Sequence, residues 1–218
     1  MPKTNSIYAI IKKQRNYKLI VFLFNGLFKR LCKYKVINSE LLPKDNGFVL
    51  VMNHRDYWDI PLVFSLMGTR PVHALVKNEL KKEIAGKVLR IMGAVFVDRN
   101  DVHSRKFSKE ALTEIVSSGS NVLICPEGTR NKTNSVLLPF AGHGAVSIAQ
   151  KTGRPIVPVA ISTFEEMGRR KLVKICPQLT VDMDEDLSVA NDRLYSCLRG
   201  ALLKNKEHTG GYDGEYRN

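Results

Sequence analysis

A histidine and an aspartate five residues apart, His54 and Asp59, are the residues of this sequence best suited by type and spacing to catalysis. They lie in the run Asn53-His-Arg-Asp-Tyr-Trp-Asp59, directly after the apolar segment Phe48–Met52. If the chain turns between them, the carboxylate can fix the tautomer of the imidazole, and the other ring nitrogen can take a proton from a substrate hydroxyl. The pattern alone is weak, because a turn histidine beside a helix-capping aspartate has the same spacing.

Two further apolar segments are followed by charged residues, among them two arginines that can bind an anion. Arg99 follows the segment Ala94–Val97, and Glu127 and Arg130 follow the segment Asn121–Cys125. Guanidinium groups bind phosphate through paired hydrogen bonds, so the two arginines are candidates for holding a phosphate. Each charged residue also has an ordinary interpretation, since Arg99 can pair with a neighbouring aspartate and Glu127 with Arg130.

The order of apolar and amphipathic segments predicts an α/β fold with a largely parallel sheet flanked by helices. The predicted strands are 48–52, 72–76, 94–97, 121–125, 156–161, 171–176 and 179–183. The predicted helices are 59–67, 79–92, 101–119, 144–152 and 188–203, with Asp101 and Ser188 as N-caps. Because the carboxyl ends of parallel strands meet at one edge, we expect His54, Arg99 and Glu127 to lie close together.

The charge distribution predicts a membrane-binding arm at the start of the chain. The 218 residues carry a formal charge of +13, and residues 1–35 hold nine Lys or Arg and no Asp or Glu. The basic residues flank the apolar run Leu19–Phe24, which is too short to span a bilayer but suits a helix lying in the interface. An ordinary basic helix packed on the protein is the alternative. The predicted membrane contacts are Lys18, Phe22, Phe24, Lys29 and Arg30.

The cysteines and histidines indicate neither a disulfide framework nor a metal site. Cys32, Cys125, Cys176 and Cys197 are far apart, and the five histidines lack metal-ligand spacing. With no export signal, a reducing compartment is expected. Cys125 is a conceivable nucleophile, but a buried structural thiol is the more ordinary interpretation.

Four blocks, in order, resemble the glycerolipid acyltransferase family, and within it the bacterial 1-acyl-glycerol-3-phosphate acyltransferases. The blocks are Asn53–Asp59, Gly93–Arg99, Pro126–Arg130 and Arg154–Pro158, and the segment Lys77–Leu80 also fits. The resemblance covers about residues 45–165. It implies an acyltransferase domain, to which we assign residues 41–209. The basic, apolar pattern assigns residues 1–40 to the arm, and the composition of residues 210–218 predicts a frayed tail.

The resemblance also implies a reaction and roles for individual residues. A fatty acyl group would pass from acyl carrier protein or coenzyme A to lysophosphatidic acid, giving phosphatidic acid without a cofactor. His54 would be the general base, Asp59 its orienting partner, and Pro158 a residue of a bordering strand. The expected acceptor-binding residues are Arg99, Glu127, Gly128, Thr129 and Arg130. The expected location is the cytoplasmic face of the cell membrane, bound peripherally to an anionic surface, with no nucleic acid partner.

Three positions depart from the family pattern, and other functions stay open. Cys125 stands where phenylalanine is common, Asn131 where serine is common, and His143 where a lysine usually precedes Gly144. The acceptor could instead be glycerol 3-phosphate or another lysolipid. A non-catalytic basic protein that binds lipid or nucleic acid is a second possibility. A dinucleotide enzyme has little support, because Ser147 replaces the third glycine of the fingerprint.

Overall fold

The computed structural model describes residues 33–164 and 170–207. The strands are β1 Tyr34–Ile37, β2 Val49–Met52, β3 Val72–Lys77, β4 Val95–Val97, β5 Asn121–Ile124, β6 Ile156–Phe164 and β7 Arg170–Ile175. The helices are α1 Asp59–Met67, α2 Ile84–Ile91, α3 Val102–Ser117, α4 Gly144–Thr152 and α5 Leu187–Glu207, with 3-10 helices at Ser39–Leu41 and Asn78–Lys82. Within these ranges, none of the helices has the length and apolarity needed to cross a bilayer.

The seven strands form one sheet in the order β1-β7-β6-β2-β5-β3-β4. Neighbouring strands are parallel except for β6 and β7, which are antiparallel. The predicted fold class, a largely parallel sheet flanked by helices, is therefore confirmed. The predicted membrane contacts between Lys18 and Arg30 lie outside the described residues.

Helices cover both faces of the sheet, which explains why its central strand β2 is apolar at every position. In β2, Val49 and Val51 belong to a core cluster shared with α3, α4 and α5. Leu50 and Met52 point to the other face, where the cluster includes residues of α1 and, at its margin, Leu89 of α2. The loops that leave the strands therefore emerge between two helical layers.

Strand β1 is absent from the sequence-based prediction, which assigned residues 1–40 to the arm. Tyr34–Ile37 pairs in parallel with β7 at one edge of the sheet, so the last part of that range belongs to the sheet. The strand is only four residues long and mostly half-buried, and its alternation is too short to give a signal. At the other end of the prediction, segment 179–183 forms only an isolated bridge, between Leu179 and Ile156.

The predicted helix over 79–92 is divided at Glu83. A 3-10 helix ends at Lys82, Glu83 is extended, and α2 begins at Ile84. Gly86 packs against this turn so closely that a Cβ there would lie 1.7 Å from the carbonyl oxygen of Leu80. This contact folds the turn onto the first turn of α2, and helical periodicity alone carries no information about it.

Replacing Gly86 with alanine should destabilise the protein by about 1–3 kcal/mol, because the new methyl group must displace backbone. Gly200 of α5 has open space at its Cβ position, so Gly200→Ala should instead stabilise the helix by about 0.5–1 kcal/mol. Urea denaturation of both variants measures the difference. Equal stability of Gly86→Ala and the natural chain would contradict the close packing of α2 on the turn.

Candidate active site

The loop between β2 and α1 is closed by the carboxylate of Asp59, the first residue of α1. Its Oδ2 accepts hydrogen bonds from the backbone N–H groups of Arg55, at 2.7 Å, and Asp56, at 2.8 Å. The same oxygen lies 3.3 Å from Nδ1 of His54. The turn that the sequence requires between histidine and aspartate is therefore present, and it leaves Nε2 as the ring nitrogen that can accept a proton.

A buried lysine, Lys171 of β7, holds the other side of this carboxylate. Its Nζ donates to Oδ1 of Asp59 at 2.8 Å, to Oδ2 of Asp56 at 2.6 Å and to Oγ1 of Thr163 at 3.0 Å. Lys171 is only 3% exposed and Asp59 only 1%. Sequence reasoning missed this residue, because a lysine at the start of an apolar segment is normally a solvated strand end. Its only sequence signal is a charge preceding a segment that is otherwise almost entirely apolar.

These contacts keep Asp59 ionised. Burial acts to raise its pKa, but the hydrogen bond from His54 and the charge of Lys171 more than offset that effect. The pKa of Asp59 therefore lies below its ordinary value, so the group is a carboxylate near neutral pH. An ionised acceptor at Nδ1 favours the tautomer in which that nitrogen carries the proton.

Glu127 fixes the backbone on which the histidine sits. Its Oε1 accepts the N–H of His54 at 2.7 Å, and its Oε2 accepts the N–H of Leu138 at 2.9 Å. The N–H of Asn131 in turn donates to the carbonyl of His54 at 2.7 Å. Burial raises the pKa of Glu127, and the two backbone hydrogen bonds partly offset the rise. Glu127 lies behind the cavity wall, so its predicted contact with an acceptor stays a prediction.

A cavity of about 620 Å³ opens beside the histidine and is lined by five of the seven predicted catalytic and acceptor-binding residues. The predicted site residues that line it are His54, Arg99, Gly128, Thr129 and Arg130. The remainder of the wall is largely apolar and comes from α1, β3, the 3-10 turn before α2 and α2 itself, through Ile60, Phe64, Leu75, Val76, Leu80, Val88, Leu89 and Met92. The cavity lining therefore combines the imidazole, the two guanidinium groups and a long apolar wall, and it also includes the carboxylates of Glu79 and Glu83.

The two arginines that line the cavity are positioned by different contacts. Arg99 passes over Gly128, where a Cβ would lie 2.9 Å from Nη1, and Gly128 has a positive φ of 72°. Glycine is thus required there for both space and backbone conformation. Burial lowers the pKa of Arg99, and Cys125 and Glu79 counteract part of that shift. The guanidinium of Arg130 stacks on Tyr57, 3.7 Å from the ring centroid.

The structure also locates three other residues that the sequence analysis named. Cys125 lines the cavity, but burial raises the pKa of its thiol, which disfavours the thiolate that a nucleophile requires. His143 is exposed at the start of α4 and lies outside the cavity lining. Pro158 lies in β6 beside Val51 of β2, in a strand next to the site.

Comparison with known proteins matches this chain to one family. The Acyltransferase family profile matches residues 33–162, more than half of the chain. A 1-acyl-sn-glycerol-3-phosphate acyltransferase of Borreliella burgdorferi is 31% identical over 130 residues, covering 59% of this chain and 51% of the relative. A probable 1-acyl-sn-glycerol-3-phosphate acyltransferase of Mycoplasma pneumoniae is 28% identical over 187 residues, covering 82% and 66%. The chain spans about half to two thirds of the length of these curated relatives.

A solved structure has the same fold. The crystal structure of the 1-acyl-sn-glycerophosphate (LPA) acyltransferase PlsC from Thermotoga maritima superposes with a TM-score of 0.72 at 23% identity. The match covers 88% of this chain and 82% of that chain. At this level of identity the likeness concerns the arrangement of the sheet and its helices.

Replacing Lys171 with methionine should destabilise the protein by about 3–5 kcal/mol near neutral pH, because the buried carboxylate of Asp59 and the half-buried carboxylate of Asp56 lose their counter-charge. In the natural chain, the lowered pKa of Asp59 contributes stability that is present above its ordinary pKa of 3.8 and lost as the pH falls through the folded value. In the variant the pKa of Asp59 rises, because the charge and hydrogen bond of Lys171 are lost, so the stability difference should shrink as the pH falls. Urea denaturation at several pH values measures it.

The matched control is Lys174→Met, which removes a lysine that is only half-buried from the same strand. Its stability should lie within about 1 kcal/mol of the natural chain. A Lys171→Met variant that matched this control at every pH would show that the buried ammonium does not hold the aspartates.

Proposed function

Because this chain belongs to the acyltransferase family, whose profile covers residues 33–162, we propose that it acylates 1-acyl-glycerol-3-phosphate. The acyl group comes from a thioester of acyl carrier protein or coenzyme A, and the product is phosphatidic acid. One observation carries the proposal: His54 is paired with buried Asp59 at the wall of a cavity that also contains Arg99 and Arg130.

In the proposed reaction, His54 is the general base. Asp59 holds Nδ1–H, so Nε2 accepts the proton of the acceptor hydroxyl as its oxygen attacks the thioester carbonyl. The C–O bond forms as the carbonyl π electrons move to oxygen. When the tetrahedral intermediate collapses, the C–S bond breaks, the thiolate leaves and the imidazolium returns the proton to sulfur. This reaction needs no nucleophile from the enzyme, which agrees with the protonated state favoured for the thiol of Cys125.

The cationic part of the cavity supports a phosphorylated acceptor. Arg99 and Arg130 both line the cavity with His54, and a phosphate between two guanidinium groups can accept several charge-assisted hydrogen bonds. The stacking of Arg130 on Tyr57 restricts its orientation before the acceptor binds. Binding through the phosphate would place the acceptor hydroxyl by geometry, which lowers the entropy cost of attack.

The apolar wall supports a fatty acyl chain as the transferred group. Residues of α1 and α2 give the cavity an aliphatic surface, with Ile60, Phe64 and Leu89 among them. Burying methylene groups against such a wall contributes roughly 0.8 kcal/mol each. A binding protein that used only its positive charge would need no such apolar space beside a histidine–aspartate pair.

Acceptor and product are both lipids, so the proposed site of action is a membrane surface. The basic residues 1–35, including Lys18, Lys29 and Arg30, provide attraction to an anionic surface. The proposed location is peripheral, at the cytoplasmic face where both kinds of thioester are available.

The direct test is an assay of the purified full chain with lysophosphatidate and glycerol 3-phosphate as acceptors and both thioesters as donors. Phosphatidate identified by mass is the expected product with lysophosphatidate. Replacing His54 with alanine should lower turnover by about 10²–10⁴, because proton removal by a positioned base is lost. The KM for lysophosphatidate should change little, since the guanidinium groups remain.

Asp59→Asn should also lower turnover while the protein stays folded, because the ring loses its anionic partner. The matched control is His103→Ala, which removes an exposed histidine at the start of α3 and should leave turnover unchanged. Near-normal turnover in the His54 variant would remove the proposed mechanism.

Removing one guanidinium should weaken phosphate recognition specifically. Arg99→Gln and Arg130→Gln should each raise the KM for lysophosphatidate by roughly 10–100-fold, since a hydrogen bond to a charged group contributes about 1.5–3 kcal/mol. Activity with a monoacylglycerol, which lacks the phosphate, should change far less. Arg199→Gln on the exposed side of α5 is the control. An equal loss with both acceptors would argue against a phosphate site.

A further inference from the structure

Three large aliphatic side chains on one face of α2 are exposed to solvent. Ile84 is 81% exposed, Val88 37% and Ile91 41%. Their spacing of four and three residues places them in one stripe along the helix. The opposite side of the helix already packs inward, because Gly86 is buried and Leu89 contacts the core. The helix therefore carries a second apolar stripe that the described part of the protein does not cover. Exposed apolar patches of this kind are typical of interaction surfaces.

Basic side chains surround this stripe. The exposed basic residues of the turn and helix are Lys81, Lys82, Lys87 and Arg90, and the exposed acidic ones are Glu79 and Glu83. Four positive charges against two negative ones leave the segment with a net charge of +2. Apolar residues flanked by lysine and arginine are the pattern of a helix that lies in a lipid interface. Each basic group near anionic lipid contributes about 1 kcal/mol.

The same helix forms a wall of the cavity. Ala85, Val88 and Leu89 line it from α2, and Val88 thus belongs both to the cavity and to the outer stripe. Tyr57 lines the cavity as well and is 71% exposed, and the neighbouring Trp58 is 41% exposed. Tyrosine and tryptophan are the residues most enriched at membrane interfaces. The exposed stripe therefore lies beside an opening that is also bordered by interface-seeking side chains.

We propose that this α2 face, comprising the exposed residues from Lys81 to Ile91, inserts its aliphatic stripe into an anionic lipid surface beside the cavity. This inference rests on the proposed function, because the lipid acceptor would pass from the bilayer into the cavity along α2. A lipid anion is the occupant that the charges favour. Residues 1–35 carry only positive charges, and a second copy would present the same net positive face, so both would be repelled.

The test compares two double variants of the full chain. Ile84→Glu/Ile91→Glu changes the stripe without altering a cavity-lining residue, and Met183→Glu/Val189→Glu changes two exposed apolar residues elsewhere, 77% and 56% exposed. Both lower the net charge by the same amount. Flotation with vesicles containing about 30% phosphatidylglycerol in phosphatidylcholine gives the partition coefficient. We expect it to fall about tenfold for the α2 variant and less than twofold for the control.

Activity separates this inference from the proposed function. With lysophosphatidate embedded in the vesicles, the α2 variant should lose activity in proportion to its partition. With a short-chain lysophosphatidate dissolved as monomers, it should keep the activity of the natural chain. If the natural chain makes no phosphatidate at all, the proposed function fails. The vesicle measurement still tests whether the α2 face contacts lipid.

Two other outcomes would overturn the inference. Equal partition of both double variants would show that the stripe does not contact lipid. A large fall in unfolding temperature, or loss of a dimer in sedimentation velocity, with partition unchanged would assign the stripe to another segment of the chain or to a second copy.

Discussion

The site depends on one buried carboxylate. Asp59 accepts two backbone N–H groups from the loop before it, pairs with His54 and binds the ammonium of Lys171. An ionised group with almost no exposure is stable only because every one of these contacts favours the charged form. The loop conformation, the orientation of the imidazole and the docking of β7 are therefore linked through two oxygen atoms.

A second carboxylate performs a related task on the other side of the histidine. Glu127 receives backbone N–H groups from the loops after β2 and β5, and so ties together two neighbouring strand ends. The imidazole thus projects from a backbone that is fixed on both sides, which is the preorganisation that a positioned base requires. Arg99 approaches the same place from β4, and Gly128 leaves the space for it.

The cavity and the outer surface of α2 use the same short helix in two ways. Leu89 and Gly86 secure it to the body, while Ile84 and Ile91 face outward. An eight-residue helix held by a tight turn can therefore separate an apolar cavity from the surroundings with a single layer of side chains. In the membrane-bound state that we infer for α2, this thin wall lies between the cavity and the lipid phase.

The sequence alone determined the fold class and the edge at which the predicted site residues converge, because apolar segments covered on both faces need no alternation and their polar ends must meet. It also placed His54 and Asp59 within reach of each other, since five residues suffice for one turn. Only the tertiary structure brought in Lys171, more than a hundred residues away, because a charge before an apolar segment is equally typical of a solvated strand end. The same holds for the break before α2 and for β1: a contact between Gly86 and Leu80, and an edge strand of four residues, are decided by packing rather than by pattern.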